Sequence, residues 1–202
     1  SEAAGELSAV RAETESLERL LAREAGEETT LLDQVSVDPG FESALGAALA
    51  DELRAPLTTD GTGWSELPDY ADTADTPDGA ARLAGHVKAP AALARRLNRT
   101  AIVDRADGAR LQASLGPGWS LVSAEGDLCR WDGYRALAED APSAAAERLR
   151  QQNRLIEMRK ARAEAEKISH AKATAQGEVK ARLEAATAED QAREQARRAA
   201  AG

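Results

Sequence analysis

The chain has 202 residues, enough for one ordinary domain with extensions or for two small ones. Its single cysteine, Cys129, excludes an internal disulfide and a cysteine-only metal site within one chain. The net charge of −9 is unevenly placed: residues 29–80 hold eleven acidic and one basic side chain, residues 81–137 nine basic and five acidic, so a basic face remains open in the second half.

No run of eighteen apolar residues occurs, so no membrane-spanning helix is expected, and the composition is that of a soluble intracellular protein. Nothing at the start resembles a signal peptide, and a first residue of Ser suggests an excised fragment. With 3% aromatics, any core must rest on Leu, Val, Ile and Ala.

Residues 1–28 read as one helix. Leu7, Val10, Thr14, Leu17 and Leu21 fall at alternating spacings of three and four, the seam of a coiled coil or of an amphipathic helix packed on its own domain. From Thr29 to Asp38 the period changes to that of a strand, with Leu31, Leu32, Val35 and Val37 as its apolar positions. Asp38-Pro39-Gly40 ends it, with Asp38 placed to cap a helix from about Phe41 to Leu53. Pro56 to Ala80 is an irregular acidic loop bearing Asp60, Glu66, Asp69, Asp72, Asp75 and Asp78, which Trp64 and Tyr70 would pin to the body.

Ala81 to Thr100 returns to a helical pattern. Leu93, Ala94 and Leu97 point inward and Arg95, Arg96 and Arg99 outward, either as a phosphate contact or as a solvated face balancing the acidic loop. Thr100 to Tyr134 then carries short apolar runs at Ala101–Val103, Trp119–Val122 and Leu128–Trp131, punctuated by Gly108, Gly116, Gly118, Gly126 and Gly133. Runs of that length between glycines are β-strands, and Glu125-Gly126 is placed to close a hairpin. Asp140-Ala141-Pro142-Ser143 starts a second helix, and from Ala144 to Ala200 no proline and only Gly177 interrupts it. Its seam, begun by Leu149 and Ile156, keeps no strict heptad.

The chain therefore divides into an N-terminal arm (1–28), a globular module (29–137) and a C-terminal arm (138–202). The module has two parts, about 29–82 and 83–137. Catalytic signatures are missing: no G-x-x-x-x-G-K-[ST] phosphate loop occurs, Gly116-Pro117-Gly118 lacks a strand-to-helix context, His86 and His170 announce no metal site, and Ser123 and Cys129 have no nearby base. Neither an enzyme, nor a metal, nor a cofactor is expected in this segment.

Three stretches carry a family resemblance: LLDQVSVDPGFESALGAALADEL (31–53), HVKAPAALARRLNRTAIVD (86–104) and LGPGWSLVSAEGDLCRWDGY (115–134). They resemble the hinge of bacterial structural-maintenance-of-chromosomes (SMC) proteins, the condensin-type chromosome organisers, with Arg130–Tyr134 in a proteobacterial version. The resemblance implies an α+β fold, a hinge of two small mixed α/β subdomains flanked by two antiparallel coiled-coil helices. It also implies a homodimer that closes a ring, in the cytoplasm on the nucleoid. ATPase heads and kleisin-type subunits would belong to parts of the full-length protein absent here. Gly108, Gly116, Gly118, Gly126 and Gly133 match family glycines of the dimer interface, although turn formation alone would also explain them. Family hinges contact DNA, best as single strands, and here the candidates are Lys88, Arg95, Arg96, Arg99, Arg148, Arg150 and Arg154. Such contacts would be weak, phosphate-dominated and salt-sensitive. The competing reading is a coiled-coil scaffold whose globular insert binds another protein.

Overall fold

The structure, a computed structural model, describes residues 2–24, 29–70, 75–140 and 143–200. The chain forms two compact units, one of Leu17–Leu155 and one of Ser1–Ser16 with Ile156–Gly202.

In the larger unit the backbone is mixed helix and sheet. A five-stranded sheet has the order β2-β4-β5-β6-β7, where β2 is Ala81–Arg82, β4 Thr100–Ile102, β5 Ser120–Val122, β6 Leu128–Arg130 and β7 Arg135–Ala136. Only β4 and β5 run parallel, and the crossover between them contains the short helix α4, Gly108–Gln112. A separate two-stranded ribbon pairs β1 (Ser36–Val37) with β3 (Val87–Lys88) in register Val37↔Val87. The main core gathers Leu31, Leu45, Leu49 and Leu53 with Leu83, Leu93 and Leu97, and with Val122, Leu128, Ala145 and Leu149 from later in the chain. A small second core holds Ala101, Leu111, Trp119 and Leu121. Aliphatic side chains fill the first, as the scarcity of aromatics requires.

The expected glycine-bounded strands are all present at β4, β5 and β6, and Gly126 turns the β5–β6 hairpin with φ +106°. Elsewhere local side-chain bonds or tertiary pairing override the apolar pattern. The expected strand at Thr29–Asp38 is mostly a 3-10 turn at Leu31–Asp33, because the Asp33 carboxylate accepts from both Thr30 N (3.0 Å) and Thr30 Oγ1 (2.8 Å) and curls the backbone. Only Ser36–Val37 remains extended. Helix α2 runs Glu42–Leu49, not to Leu53. At Ala50 φ is +44°, and the chain tightens into a 3-10 segment over Ala50–Arg54. Asp38 is not its side-chain cap: the Asp38 carbonyl accepts from Phe41 N, and the carboxylate faces His86 Nδ1 at 3.1 Å.

The helical pattern at 81–100 resolves into β2, a 3-10 turn, β3, a second 3-10 turn and the short α3 (Ala94–Asn98). Edge pairing with β4 and with β1 supplies hydrogen bonds that outweigh its helix propensity. The long helix α5, Ala144–Ala200, begins where Ser143 Oγ accepts from Ala146 N at 3.2 Å. Ser143 is thus the cap residue; Ala141 and Pro142, also expected at this start, lie outside the described residues.

Near its start α5 crosses α2 at Gly46. A Cβ there would stand 2.7 Å from Ala146 Cβ and 2.8 Å from Ser143 Oγ. Three polar ties fix the same stretch to the module. Arg148 meets Asp33 at 2.6 Å, and Asn153 Nδ2 donates to Glu42 Oε1 (2.6 Å) and Val37 O (3.1 Å). Gln152 Nε2 reaches Leu32 O.

On α1 (Glu2–Glu24) the expected seam residues Leu7, Val10, Thr14, Leu17 and Leu21 are buried or half-buried, and Ala3 extends the same stripe. Buried Thr14 satisfies its hydroxyl by donating to Val10 O. In the smaller unit Arg11 bonds Glu166 at 3.0 Å, which sets α1 beside α5 there. The α5 seam needs a correction: Leu149 is buried as expected, but Ile156 is 44% exposed. From Leu155 to Ser169 the covered positions are Leu155, Met158, Arg162, Ala165, Glu166 and Ser169, out of phase with Ile156, and three of them are polar, so apolar spacing conceals the stripe. Residues 171–198 are exposed all round. They are held as helix by alanine content and by pairs such as Lys180–Glu184 and Arg198–Glu194, each giving about 0.2–0.5 kcal/mol.

Two glycine-to-alanine changes are expected to have opposite signs. Gly46→Ala forces α2 and α5 apart and costs about 1–3 kcal/mol in urea unfolding. Gly177→Ala, with nothing within 4 Å of its would-be Cβ, adds about 0.5–1 kcal/mol and raises helical content by circular dichroism.

Candidate functional site

Strands β6 and β7 meet at a tight corner, Trp131–Tyr134, at one edge of the sheet. Gly133 takes φ +92° there, and Arg130 N donates to Tyr134 O at 2.9 Å to close it. Buried Gln112 on α4 holds the corner from inside: its Nε2 donates to Arg130 O (2.8 Å) and Tyr134 O (3.0 Å), and its Oε1 accepts from Arg135 Nε. Outside, Arg130 grips Asp132 and stands 5.1 Å from the Tyr134 ring. The Arg130 guanidinium holds the Asp132 carboxyl below its ordinary pKa. So braced, the corner presents Trp131 (48% exposed) and Tyr134 (52%) to solvent, in a chain with only six aromatic residues, and Leu137 (46%), just past β7, is exposed as well. Sequence reasoning noted the motif but not that its large side chains stay uncovered. Their concentration beside a glycine turn was the available signal.

The five expected glycines are not alike. Gly118, Gly126 and Gly133 occupy left-handed backbone in turns, and Gly116 sits in the turn leading to β5. Gly108 is buried at the start of α4, where a Cβ would stand 3.4 Å from Cys129 Sγ, so its surface is already covered by the chain's own residues.

The seven expected cations also separate. Arg96 does not point outward: its Nη2 donates to Ala48 O at 2.9 Å, toward a cavity of about 850 Å³ bounded by α2, the β5–β6 hairpin and the start of α5. Arg148 is 13% exposed and pairs with Asp33, and Arg150 bonds Glu147 (2.6 Å) and Ser43 Oγ (3.0 Å). Helix α5 lies against the module at these positions, so its arginines serve that contact. Lys88 is exposed on β3 and Arg154 on α5.

Arg95 and Arg99 form a group with aromatic rings. Arg95 stands 4.6 Å over Tyr70, and Arg99 lies 5.1 Å from Tyr70 and 5.4 Å from buried Trp119, which Arg82 approaches at 5.7 Å. Trp64 anchors the acidic loop as expected, its Nε1 donating to Glu52 O at 2.9 Å. Asp72 lies outside the described residues. Among the described residues, no His, Cys, Asp and Glu side chains gather to hold a metal ion, and no helix is long and apolar enough to cross a membrane.

No family model matches the chain. It is 54% identical over 162 residues to the chromosome partition protein Smc of Cereibacter sphaeroides, a match covering 76% of this chain and 14% of that protein. Against the protein of the same name from Rhodopseudomonas palustris the identity is 39% over 129 residues, covering 63% of this chain and 11% of the relative. The fold matches the SMC hinge domain of Geobacillus stearothermophilus with a TM-score of 0.57 at 15% identity, covering 84% of this chain and 90% of that one. This chain belongs to the SMC family, at its hinge. It spans about a seventh of the first relative's length and a ninth of the second's. The SMC hinge assignment accounts for the mixed sheet lying between α1 and α5 in sequence.

Within this hinge, Asp127 joins the β5–β6 turn to the approach to α5. It accepts from Ser123 Oγ (2.7 Å), Arg105 Nε (3.0 Å) and Ala138 N (3.1 Å). Burial works to raise its pKa, but the Ser123 and Ala138 hydrogen bonds and the Arg105 charge outweigh it, holding the carboxyl below its ordinary value. A depressed folded pKa adds stability that is complete above the unfolded value of about 3.9 and is lost as pH falls through the folded value. Asp127→Asn is therefore expected to cost about 1–3 kcal/mol at neutral pH, with the deficit shrinking in urea titrations run at progressively more acid pH.

Proposed function

We propose that this chain is the homodimerisation hinge of a chromosome condensation and segregation SMC protein, acting in the cytoplasm on the nucleoid. Two copies join through the hinge and so close the ring of the full-length dimer. The ATPase heads, and the kleisin-type subunits expected on them, belong to the remainder of that protein. The observation that carries the reading is the β6–β7 corner. Three large apolar side chains stand uncovered beside β7, the last strand of the sheet, which has no outer neighbouring strand among the described residues. A second copy laid on that edge would satisfy both the apolar surface and the backbone. Gly133, with open space around its missing Cβ, lets a partner's backbone approach. Gly116 and Gly118 are the other interface candidates, whereas a Cβ at Gly126 would meet Ser43 of the same chain at 3.2 Å. The hinge matched by fold is described as an asymmetric dimer, which supports the same conclusion.

DNA contact is weak and indifferent to sequence. Arg95 and Arg99, with Lys88 and Arg154, are the cations placed to meet phosphates, single strands being preferred because unpaired bases can stack near the rings.

Size-exclusion chromatography with light scattering tests the assembly. The chain is expected to elute as a dimer, and Trp131→Glu with Tyr134→Glu as a folded monomer by circular dichroism. Leu7→Asp with Val10→Asp, on the α1 seam, should leave the dimer intact. A dimer that survives the corner change but dissociates with the seam change would favour the scaffold reading instead.

A further inference from the structure

The acidic loop does not hang free of the basic helix. Pro68 O accepts from Arg95 Nε at 2.6 Å, Asp69 Oδ2 accepts from Asn98 Nδ2 at 3.1 Å, and the Tyr70 ring faces Arg95 and Arg99 at 4.6 and 5.1 Å. These three residues offer α3 an acceptor oxygen, a negative charge and an aromatic face. A single-stranded nucleic acid offers the same three groups in its phosphates and bases. Between Leu57 and Tyr70 the segment carries Asp60, Glu66 and Asp69 and no Lys or Arg. We infer that residues 66–70 are an autoinhibitory strap, which occupies the Arg95–Arg99 face in place of a polyanion and must be displaced before one binds. The inference rests on the DNA-contact reading above and adds its regulation.

The packing allows such a displacement. The strap is fixed at one end by Trp64, which is packed against the main core, whereas Leu67 and Tyr70 are exposed and belong to neither core. Among the described residues its hold on α3 includes one backbone acceptor, one amide–carboxylate bond and two cation–ring contacts, all near the surface and weakened by competing ions. Arg99 also lies near Trp119, buried in the second core, so it keeps an aromatic neighbour when Tyr70 withdraws. Lifting the strap thus uncovers a cationic face without disturbing what holds that face together.

The test is fluorescence anisotropy of a labelled oligothymidylate titrated with the 202-residue chain at several salt concentrations. Asp69→Asn with Tyr70→Ala is expected to bind about five- to tenfold tighter than the unaltered chain at low salt, the gap narrowing as salt rises. Arg95→Gln added to that variant should reverse the gain. Glu66→Gln, which removes an exposed charge of the same segment, should give a much smaller effect, and melting temperatures check that each variant is folded. If the strap variant binds no tighter while Arg95→Gln weakens binding, the strap is not a gate and the DNA contact stands. If Glu66→Gln matches the strap variant, general charge removal replaces the strap mechanism. If no variant binds the oligonucleotide at low salt, the DNA reading itself fails.

Discussion

The rooting of α5 in the module is the constraint on which the rest of the larger unit depends. Gly46 on α2 brings the helix backbones close enough that Ala146 and Ser143 take the place of a side chain. That proximity puts Ala145 and Leu149 into the main core, and Arg148, Gln152 and Asn153 within reach of Asp33, Leu32, Val37 and Glu42. Each of these bonds involves a charged partner or a backbone carbonyl, and a hydrogen bond to a charged group contributes about 1.5–3 kcal/mol. A bulkier residue at position 46 would weaken them together, because all depend on one interhelical distance.

The same anchoring decides which charges are available for function. The Asp33 carboxyl, whose burial alone would raise its pKa, is instead held below the ordinary value by hydrogen bonds from Thr30 and by the Arg148 charge. An arginine committed to such a carboxylate is not offered to a phosphate: moving it would leave a half-buried anion without its partner. Arg96 is withdrawn in another way, by donating to the last turn of α2. The candidate surface therefore contracts from a broad basic face to the end of α3, where Arg95 and Arg99 meet aromatic rings, and to the exposed Lys88 and Arg154.

How far the sequence was legible follows from how local each determinant is. The β4, β5 and β6 strands lie between glycine turns, so residue type and spacing alone specified them. The α1 seam was legible because its positions from Leu7 to Leu21 are apolar or threonine at strict spacing. The α5 seam was not, since Arg162 and Ser169 occupy covered positions while Ile156 and Ile168 face solvent. Residues 81–98 misled for a different reason: they have helical spacing, but β1 and β4 offer them partners distant in sequence. At the candidate site the glycines were readable as turn formers, whereas the exposure of Trp131 and Tyr134 depends on Gln112 bracing the corner from another element.

Charge illustrates the limit most clearly. Counted along the chain, an acidic stretch of eleven carboxylates precedes a basic one, and the expectation is of two faces with opposite potentials. In space the two are interleaved. Asp33 receives Arg148, Asp38 faces His86, Asp69 meets Asn98, and the segment bearing Asp69 reaches Arg95 through Pro68. The Asp33–Arg148 pair shortens the range over which the linear imbalance can be felt, since a charge within about 4 Å of its opposite presents a dipole and not a monopole to anything farther away, and the other contacts bring acidic and basic segments side by side. A hinge built in this way need not repel nucleic acid across one subdomain and attract it across the other. In the proposed reading its affinity for a polyanion would depend on whether a single acidic segment lies on a single basic helix, a local contact that total charge does not reveal.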